Sequence, residues 1–158
     1  MQRYLVTFLM LAPQESMSQA IPNQTKSFAL RMTPRQDFKK TLLSFAKENH
    51  IKAGRILPAV GSLEQINLQY ANQDAGIKLK GYFEVVSLTG TFSSESAYLH
   101  MSVADGTGHT LGGHLLNENN VNTTLEVIAV DLTEVQFDRE KDPTYGYPEL
   151  VIKPRTKK

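Results

Sequence analysis

Three of the four histidines of the chain lie in one stretch, AYLHMSVADGTGHTLGGHLL, which spans residues 97–116. The imidazole nitrogen of histidine is a common ligand of zinc and related divalent metals, and it also serves as a general base. The sequence has no cysteine, which excludes disulfides, thiolate metal sites and thiol nucleophiles. The stretch is therefore compatible with three alternatives: a metal site, a catalytic site, or a hairpin that carries ordinary histidines.

The pattern of this stretch predicts two strands around a turn. A three-residue loop at residues 106–108, with Gly108 in the left-handed conformation, would place His100 directly opposite His114. The Cβ atoms of such a pair lie about 5 Å apart, close enough for both imidazoles to bind one divalent metal ion of the zinc type. A shift of one residue in the register would move the two histidines to opposite faces and abolish the site.

Two histidines do not complete a zinc site, which needs further protein ligands or water. The candidates for a third ligand are Tyr98, which shares a face with His100, a carboxylate such as Glu84, or a group from a neighbouring subunit. The alternative is that both histidines form hydrogen bonds in a half-buried sheet. The pair Gly112-Gly113 then indicates a bulge or a close strand crossing, and His109, beside the turn, is expected in solvent.

Signals of catalysis are weak. The chain has no Gly-x-Ser-x-Gly sequence, no phosphate-binding loop and no His-Glu-x-x-His sequence. Glu84 and Glu126 lie in apolar strands, where an inward carboxylate would need a partner such as Arg31 or Arg139, and such pairs are more often structural than catalytic. We expect a binding protein and not an enzyme.

One strong helix is predicted within residues 33–54, N-terminal to the stretch that contains the three histidines. Thr33 is a suitable N-cap, Pro34 suits the first helical position, and Gln36 stands where a capping-box partner belongs. An apolar stripe with helical spacing follows, formed by Phe38, Leu42, Phe45 and Ala46.

The rest of the chain alternates with a period of two and predicts strands. Nine candidate segments, of which we expect seven or eight to form strands, lie at residues 27–32, 55–60, 64–70, 82–92, 97–103, 109–116, 123–132, 134–140 and 148–152, with a turn at Gly61-Ser62. The sequence therefore predicts one α+β domain with seven or eight mostly antiparallel strands and one main helix.

Charge is distributed unevenly. The full chain has a net charge of +1, yet its last six residues, KPRTKK, contain four basic residues and no acidic one. Seven basic and two acidic residues lie between Arg31 and Arg55, whereas two basic and eleven acidic residues lie between Glu84 and Glu149. This asymmetry is typical either of complementary surfaces in an oligomer or of an ordinary solvated surface.

The two ends differ from the domain. Residues 1–20 combine Arg3, an apolar run and a small-x-small ending at Ala20, which is the layout of a secretory signal peptide. We expect a signal peptide at 1–20, a linker at 21–26, the domain at 27–152 and a basic tail at 153–158. The mature form would begin at Ile21, lie in the periplasm and contact no membrane. Without cleavage the protein would be cytoplasmic, with RYLVTFLML (residues 3–11) as an additional strand of the domain.

Five segments of the chain resemble the motifs of a known family and occur in the same order as in that family. They are ALRMTPRQDFKKTLLSFAKENHIKAGRILPAVGSLEQINLQY, GYFEVVSLTGTFS, AYLHMSVADGTGHTLGGHLL, TTLEVIAVDL and FDREKD. Over residues 27–152 the chain resembles the PPC domain, named for its occurrence in plants and prokaryotes. The resemblance implies an α+β homotrimer. It also implies DNA binding, because the plant domain follows AT-hook motifs, although this chain contains no Arg-Gly-Arg-Pro core.

The resemblance also implies two sites. Bacterial members often show a His-x-His and a Gly-Gly-His that resemble metal sites; here the first reads Tyr98-Leu99-His100 and the second Gly112-Gly113-His114, so a phenol replaces one imidazole. In the plant domain a segment like GRFEIL contacts other proteins. The corresponding partner-binding residues are Gly81, Tyr82, Phe83, Glu84, Val85 and Val86.

These observations predict a non-enzymatic binding module of the PPC family that assembles with itself. The family resemblance predicts that this module binds DNA. The alternative is an exported trimer that binds zinc, another divalent metal or a small ligand at His100 and His114, with Tyr98 as a possible third ligand.

Overall fold

A computed structural model describes residues 21–156 of the chain. The predicted signal peptide and the last two lysines of the predicted tail lie outside the described residues. Within them the chain forms one helix and eight strands. Their bounds are β1 Thr25–Met32, α1 Phe38–Glu48, β2 Gly54–Gln69, β3 Gly76–Phe92, β4 Ala97–Ala104, β5 Thr110–Leu115, β6 Asn120–Leu132, β7 Val135–Lys141 and β8 Pro148–Pro154.

The fold class predicted from the sequence is confirmed. Six strands form an antiparallel sheet in the order β1-β6-β2-β3-β4-β5, and β7 and β8 form a separate two-stranded sheet. The free edge of β5 returns to β2, where Leu68 pairs with Leu115 and Gln69 with His114. Strands β2 to β5 therefore close on themselves around a common apolar interior.

The helix covers one part of this sheet with the predicted apolar stripe. Phe38, Leu42 and Ala46 are fully buried, and the ring of Phe45 meets that of Phe28 edge to face, with centroids 5.2 Å apart. No helix among residues 21–156 has the length and apolar character needed to cross a bilayer.

The helix begins later than its sequence predicts. Arg35 has a left-handed φ of 70°, which interrupts any helix from Thr33, and Gln36 instead closes a local turn by accepting a hydrogen bond from the Thr33 amide at 2.8 Å. Asp37 is the true N-cap, because its carboxylate accepts from the Lys40 amide at 3.0 Å. Thr33 as N-cap was therefore wrong.

The predicted turn at Gly61-Ser62 was also wrong. β2 runs without a break from Gly54 to Gln69, and the irregularity appears instead as register shifts in its pairing with β6. Ser62 is buried, and its hydroxyl lies 3.1 Å from that of Thr123 on β6. A glycine in a strand therefore marks a bulge here and not a reversal of the chain.

The strands extend into both predicted flanking segments. β1 begins at Thr25, inside the expected linker, and β8 includes Lys153 and Pro154 of the expected basic tail. Beyond β8, the Arg155 guanidinium lies 3.5 Å from the Asp131 carboxylate and donates to the carbonyl of His50 at 3.0 Å. The start of the tail is therefore anchored to the domain.

Candidate functional site

The β4–β5 hairpin has the predicted turn and the predicted register. The Asp105 amide donates to the carbonyl of His109 at 3.0 Å, the Gly108 amide donates to that of Asp105 at 2.9 Å, and Gly108 has a φ of 83°. With the loop fixed in this way, His100 and His114 are direct cross-strand partners. Local turn chemistry therefore determines that the two imidazoles meet.

Three rings form a cluster on the outer face of this hairpin. The His100 and His114 ring centroids lie 5.6 Å apart, and the Tyr98 ring lies 5.3 Å from the first and 4.9 Å from the second. The alternate residues of β4, Leu99 and Met101, point inward and are buried. Tyr98, His100 and His114 are called the aromatic cluster below.

His114 is the most enclosed member of the cluster. Its ring is half-buried, and its Nδ1 atom is buried without a hydrogen-bond partner among the described residues. Burial lowers the pKa of His114, and the charges of Lys39 and His100 lower it further. The imidazole is therefore held in the neutral form, which is the form that binds a metal.

Gly113 explains why His114 is so enclosed. A Cβ atom at this position would lie 2.5 Å from the carbonyl oxygen of Gln69 on β2. Only glycine lets β5 approach β2 this closely, and the next residue, His114, pairs with Gln69. The close strand crossing predicted as one explanation of Gly112-Gly113 is therefore present, and it positions a candidate ligand.

The cluster faces an open depression of about 830 Å³. Its other walls are the loop after β2, polar side chains of β3 and β4, and Tyr147 from the segment that joins β7 to β8. These residues include Gln69, Tyr70, Asn72, Asp74, Ser87, Thr89, Ser102 and Tyr147. A depression of this size can hold a small molecule.

The aromatic cluster provides some of the ligands that a metal site needs. No group of three or more histidine, cysteine, aspartate or glutamate side chains among residues 21–156 is placed to hold an ion. The cluster itself offers two imidazoles and one phenol as donors. Imidazole donors suit zinc, copper and nickel better than magnesium or calcium.

The other candidate residues lie away from the cluster. Glu84 is exposed and pairs with Ala104, four residues along β4 from His100, or about 13 Å at the rise of a strand. Glu126 is exposed opposite Arg31, so neither carboxylate is inward as the apolar strands suggested. His109 is exposed at the turn, as expected.

The sequence interpretation missed the role of Arg139. This residue was considered only as a partner for an inward carboxylate, but its guanidinium lies 5.2 Å from the centre of the Tyr98 ring and donates to the Thr91 hydroxyl at 3.3 Å. Thr91 is the cross-strand partner of Tyr98. Because Arg139 follows Tyr98 by 41 residues, no local pattern indicated the contact.

The predicted partner-binding segment lies in β3. Its side chains alternate: Phe83 and Val85 are buried, whereas Tyr82, Glu84 and Val86 are exposed. The outward half of the segment is therefore accessible on this chain.

A model of the Plants and Prokaryotes Conserved (PCC) domain matches residues 19–133. The chain belongs to this family, which is the PPC-domain family that its motifs resemble. The matched residues include the whole aromatic cluster, and they end before β7, so Arg139 and Tyr147 lie beyond them.

The chain is also similar in sequence to a much longer protein. The chain is 39% identical over 133 residues to the bifunctional protein GlmU of Synechococcus sp. (strain JA-2-3B'a(2-13)). That alignment covers 84% of this chain and 21% of GlmU. The chain therefore spans about a fifth of the length of this relative.

Solved structures share the PCC fold. A hypothetical protein from Salmonella cholerae-suis is 37% identical, with a TM-score of 0.84 and coverage of 86% of this chain and 99% of that one. A protein from Bacteroides thetaiotaomicron, named as a candidate DNA-binding protein, is 25% identical (TM-score 0.71; coverage 84% and 94%). A metal-containing protein from Archaeoglobus fulgidus is 23% identical (TM-score 0.72; coverage 85% and 99%), which shows the shared fold.

Proposed function

We propose that the protein is a non-enzymatic binding module of the PCC family that holds a divalent metal ion of the zinc type on the β4–β5 hairpin. The observation that carries the proposal is the cross-strand pair His100 and His114, with the Tyr98 ring beside both. Two imidazoles directly opposite each other on one face can bind one ion.

The surroundings of His114 support this proposal. An imidazole nitrogen buried without a partner costs free energy, and a metal ion would satisfy it. Burial also keeps this imidazole neutral, so a proton does not compete with the metal near pH 7. A bound ion would supply positive charge and open coordination positions for a small ligand in the depression.

Metal content measured by elemental analysis, after purification from the native host, tests the proposal. His114→Ala should lose most of the metal, whereas His109→Ala, an exposed histidine at the turn, should keep it. Tyr98→Phe keeps the ring and removes only the hydroxyl, so weaker binding in this variant would identify the phenol oxygen as a ligand. Equal metal in the wild type and His114→Ala, or none in either, would contradict the proposal.

DNA binding is the second candidate function. Six of the seven basic residues between Arg31 and Arg55 are exposed; they are Arg31, Arg35, Lys40, Lys47, Lys52 and Arg55. The similarity to the Bacteroides protein supports this candidate. The tail supports it less, because Lys153 pairs with Asp138 and Glu140, and Arg155 pairs with Asp131.

Binding of a DNA duplex at two salt concentrations tests this candidate. Phosphate contacts predict a steep loss of affinity between about 50 and 200 mM salt. Lys40→Gln with Lys47→Gln should weaken binding, whereas Lys153→Gln should not, because that ammonium is already paired. Deleting residues 153–158 would be a poor test since it shortens β8. Absent or salt-insensitive binding would reject this candidate.

The compartment in which the protein is found distinguishes the metal-binding function from the DNA-binding function. If residues 1–20 are a cleaved signal peptide, the protein is periplasmic and does not meet chromosomal DNA, so the metal proposal stands alone. Mass spectrometry of protein from its own host decides between a chain that begins at Ile21 and one that retains Met1.

A further inference from the structure

A second, smaller cavity adjoins the aromatic cluster. It has a volume of about 520 Å³, and it shares Tyr98, His114 and Tyr147 with the larger depression. Its remaining walls include Arg139 of β7 and the start of β8. The cavity is therefore formed where the β7–β8 hairpin meets β4.

Arg139 is the unusual residue of this cavity. Its side chain is half-buried, and among residues 21–156 no carboxylate lies within 4 Å of its guanidinium. The neighbouring cations differ: Lys153 lies between two carboxylates and Arg155 lies beside Asp131. Within the described part of the chain this half-buried charge contacts a hydroxyl and a ring, which leaves most of its five N–H donors for a ligand.

The shape of guanidinium determines the ligand group. Its planar fork binds the two oxygens of a carboxylate in parallel, and it also binds phosphate. Glu149, at the start of the paired strand β8, adds a negative charge to the same cavity, and this charge disfavours a dianion more than a monoanion. A carboxylate therefore fits this electrostatic environment better than a phosphate.

The remaining walls determine the rest of the ligand. Ala97, Tyr98, Tyr147 and Pro148 present aromatic and aliphatic surface, which favours an apolar body. We infer that this cavity binds a small monocarboxylate with an apolar or aromatic body, held by Arg139. The inference goes beyond the metal proposal and does not depend on it, because Arg139 contacts Thr91 and Tyr98 and neither histidine of the cluster.

Benzoate is a suitable probe, with benzamide as its neutral counterpart and phenyl phosphate as a dianion. Binding is measured by calorimetry and by the NMR signal of the Arg139 side chain, on full-length protein freed of metal by a chelator. We expect benzoate to bind at least about tenfold more tightly than benzamide, and more tightly than phenyl phosphate. Glu149→Gln should reduce the preference over phenyl phosphate.

Two variants show whether Arg139 is responsible. Arg139→Gln should weaken benzoate binding at least about tenfold, and Arg139→Lys should restore only part of it, since lysine lacks the planar fork. Lys153→Gln removes one positive charge from the same hairpin and should leave binding unchanged. Thermal unfolding of each variant shows that the hairpin remains folded.

Three results would overturn the inference. One is equal binding of benzoate and benzamide, and another is tighter binding of phenyl phosphate. The third is an absence of benzoate binding to the wild type; a smaller oligomer in Arg139→Gln would then mean that a carboxylate of a second copy occupies Arg139. Because the protein is metal-free in these measurements, the benzoate results can be interpreted even if the metal proposal fails.

Discussion

His114 differs from the other histidines of the hairpin in the groups around its imidazole. Burial lowers its pKa below the ordinary value of 6.5, and the nearby Lys39 ammonium adds to this effect. Lys39 is itself partly buried, donates to the carbonyl of Leu115 at 3.2 Å, and has a lowered pKa because of that burial. A residue of the helix thus influences the proton affinity of a residue on β5.

This arrangement predicts the effect of removing the lysine charge. A nearby cation disfavours the imidazolium, so Lys39→Gln should raise the pKa of His114 toward 6.5. In metal-free protein, an NMR titration of the histidine rings should show this upward shift. Lys40→Gln removes an exposed charge from the next position of the helix and should leave the His114 midpoint in place. A downward or absent shift in Lys39→Gln would contradict the assigned contribution of the lysine.

The closure of β5 on β2 holds the site together. Gly113→Ala would place a methyl group against the carbonyl of Gln69, and we expect it to lower the free energy of unfolding by about 1–3 kcal/mol, as overpacking usually does. It should also weaken metal binding, because His114 moves with its strand. Gly106→Ala is the matched control, since no atom lies within 4 Å of an added Cβ there. Chemical denaturation and metal titration of both variants measure these effects; equal stability of Gly113→Ala and wild type would contradict the close approach.

The contact between Asp131 and Arg155, which anchors the segment after β8, predicts a pH dependence of the folding stability. Asp131 is buried, its Oδ1 atom lacks a partner among the described residues, and burial raises its pKa above 3.8 although Arg155 acts in the opposite direction. A raised folded-state pKa means that protonation favours the folded state. The stability of the wild type relative to Asp131→Asn should therefore be greater near pH 4 than near pH 7. Urea unfolding of both proteins measures it; a wild-type advantage that shrinks toward acid would show a dominant ion pair instead.

The same elements show what the sequence can predict. The hairpin register was predictable because its determinants, a three-residue loop and Gly108, are local. The helix start was not, because Asp37 also accepts a hydrogen bond from the amide of Glu118 on a distant segment. The pairing of β5 with β2 and the position of Arg139 over Tyr98 likewise depend on residues far apart in the chain.

Within residues 21–156, the outward face of β2 and β3 exposes large apolar side chains. The helix packs on the side formed by Phe28 and its neighbours. On the adjacent strands β2 and β3, Val60, Tyr82 and Val86 are 60%, 75% and 58% exposed. Pro58 and Val60 also line an open groove of about 330 Å³ toward β1 and β6. Exposed apolar surface on neighbouring strands is typical of an interface.

The family resemblance implies a homotrimer, and we propose that its copies associate through this surface. In a closed symmetric ring each copy presents one surface to a different surface of the next, so a single charge in the contact is repeated three times. Val86→Lys should therefore convert the trimer to monomers at micromolar concentration, because each interface would bury an unpaired ammonium. Tyr145→Lys adds the same charge at an exposed aromatic residue of the β7–β8 segment and should leave the assembly intact. Sedimentation velocity of the three proteins measures the masses; a monomeric wild type, or a trimeric Val86→Lys, would show that copies of this chain do not associate through the β2–β3 surface.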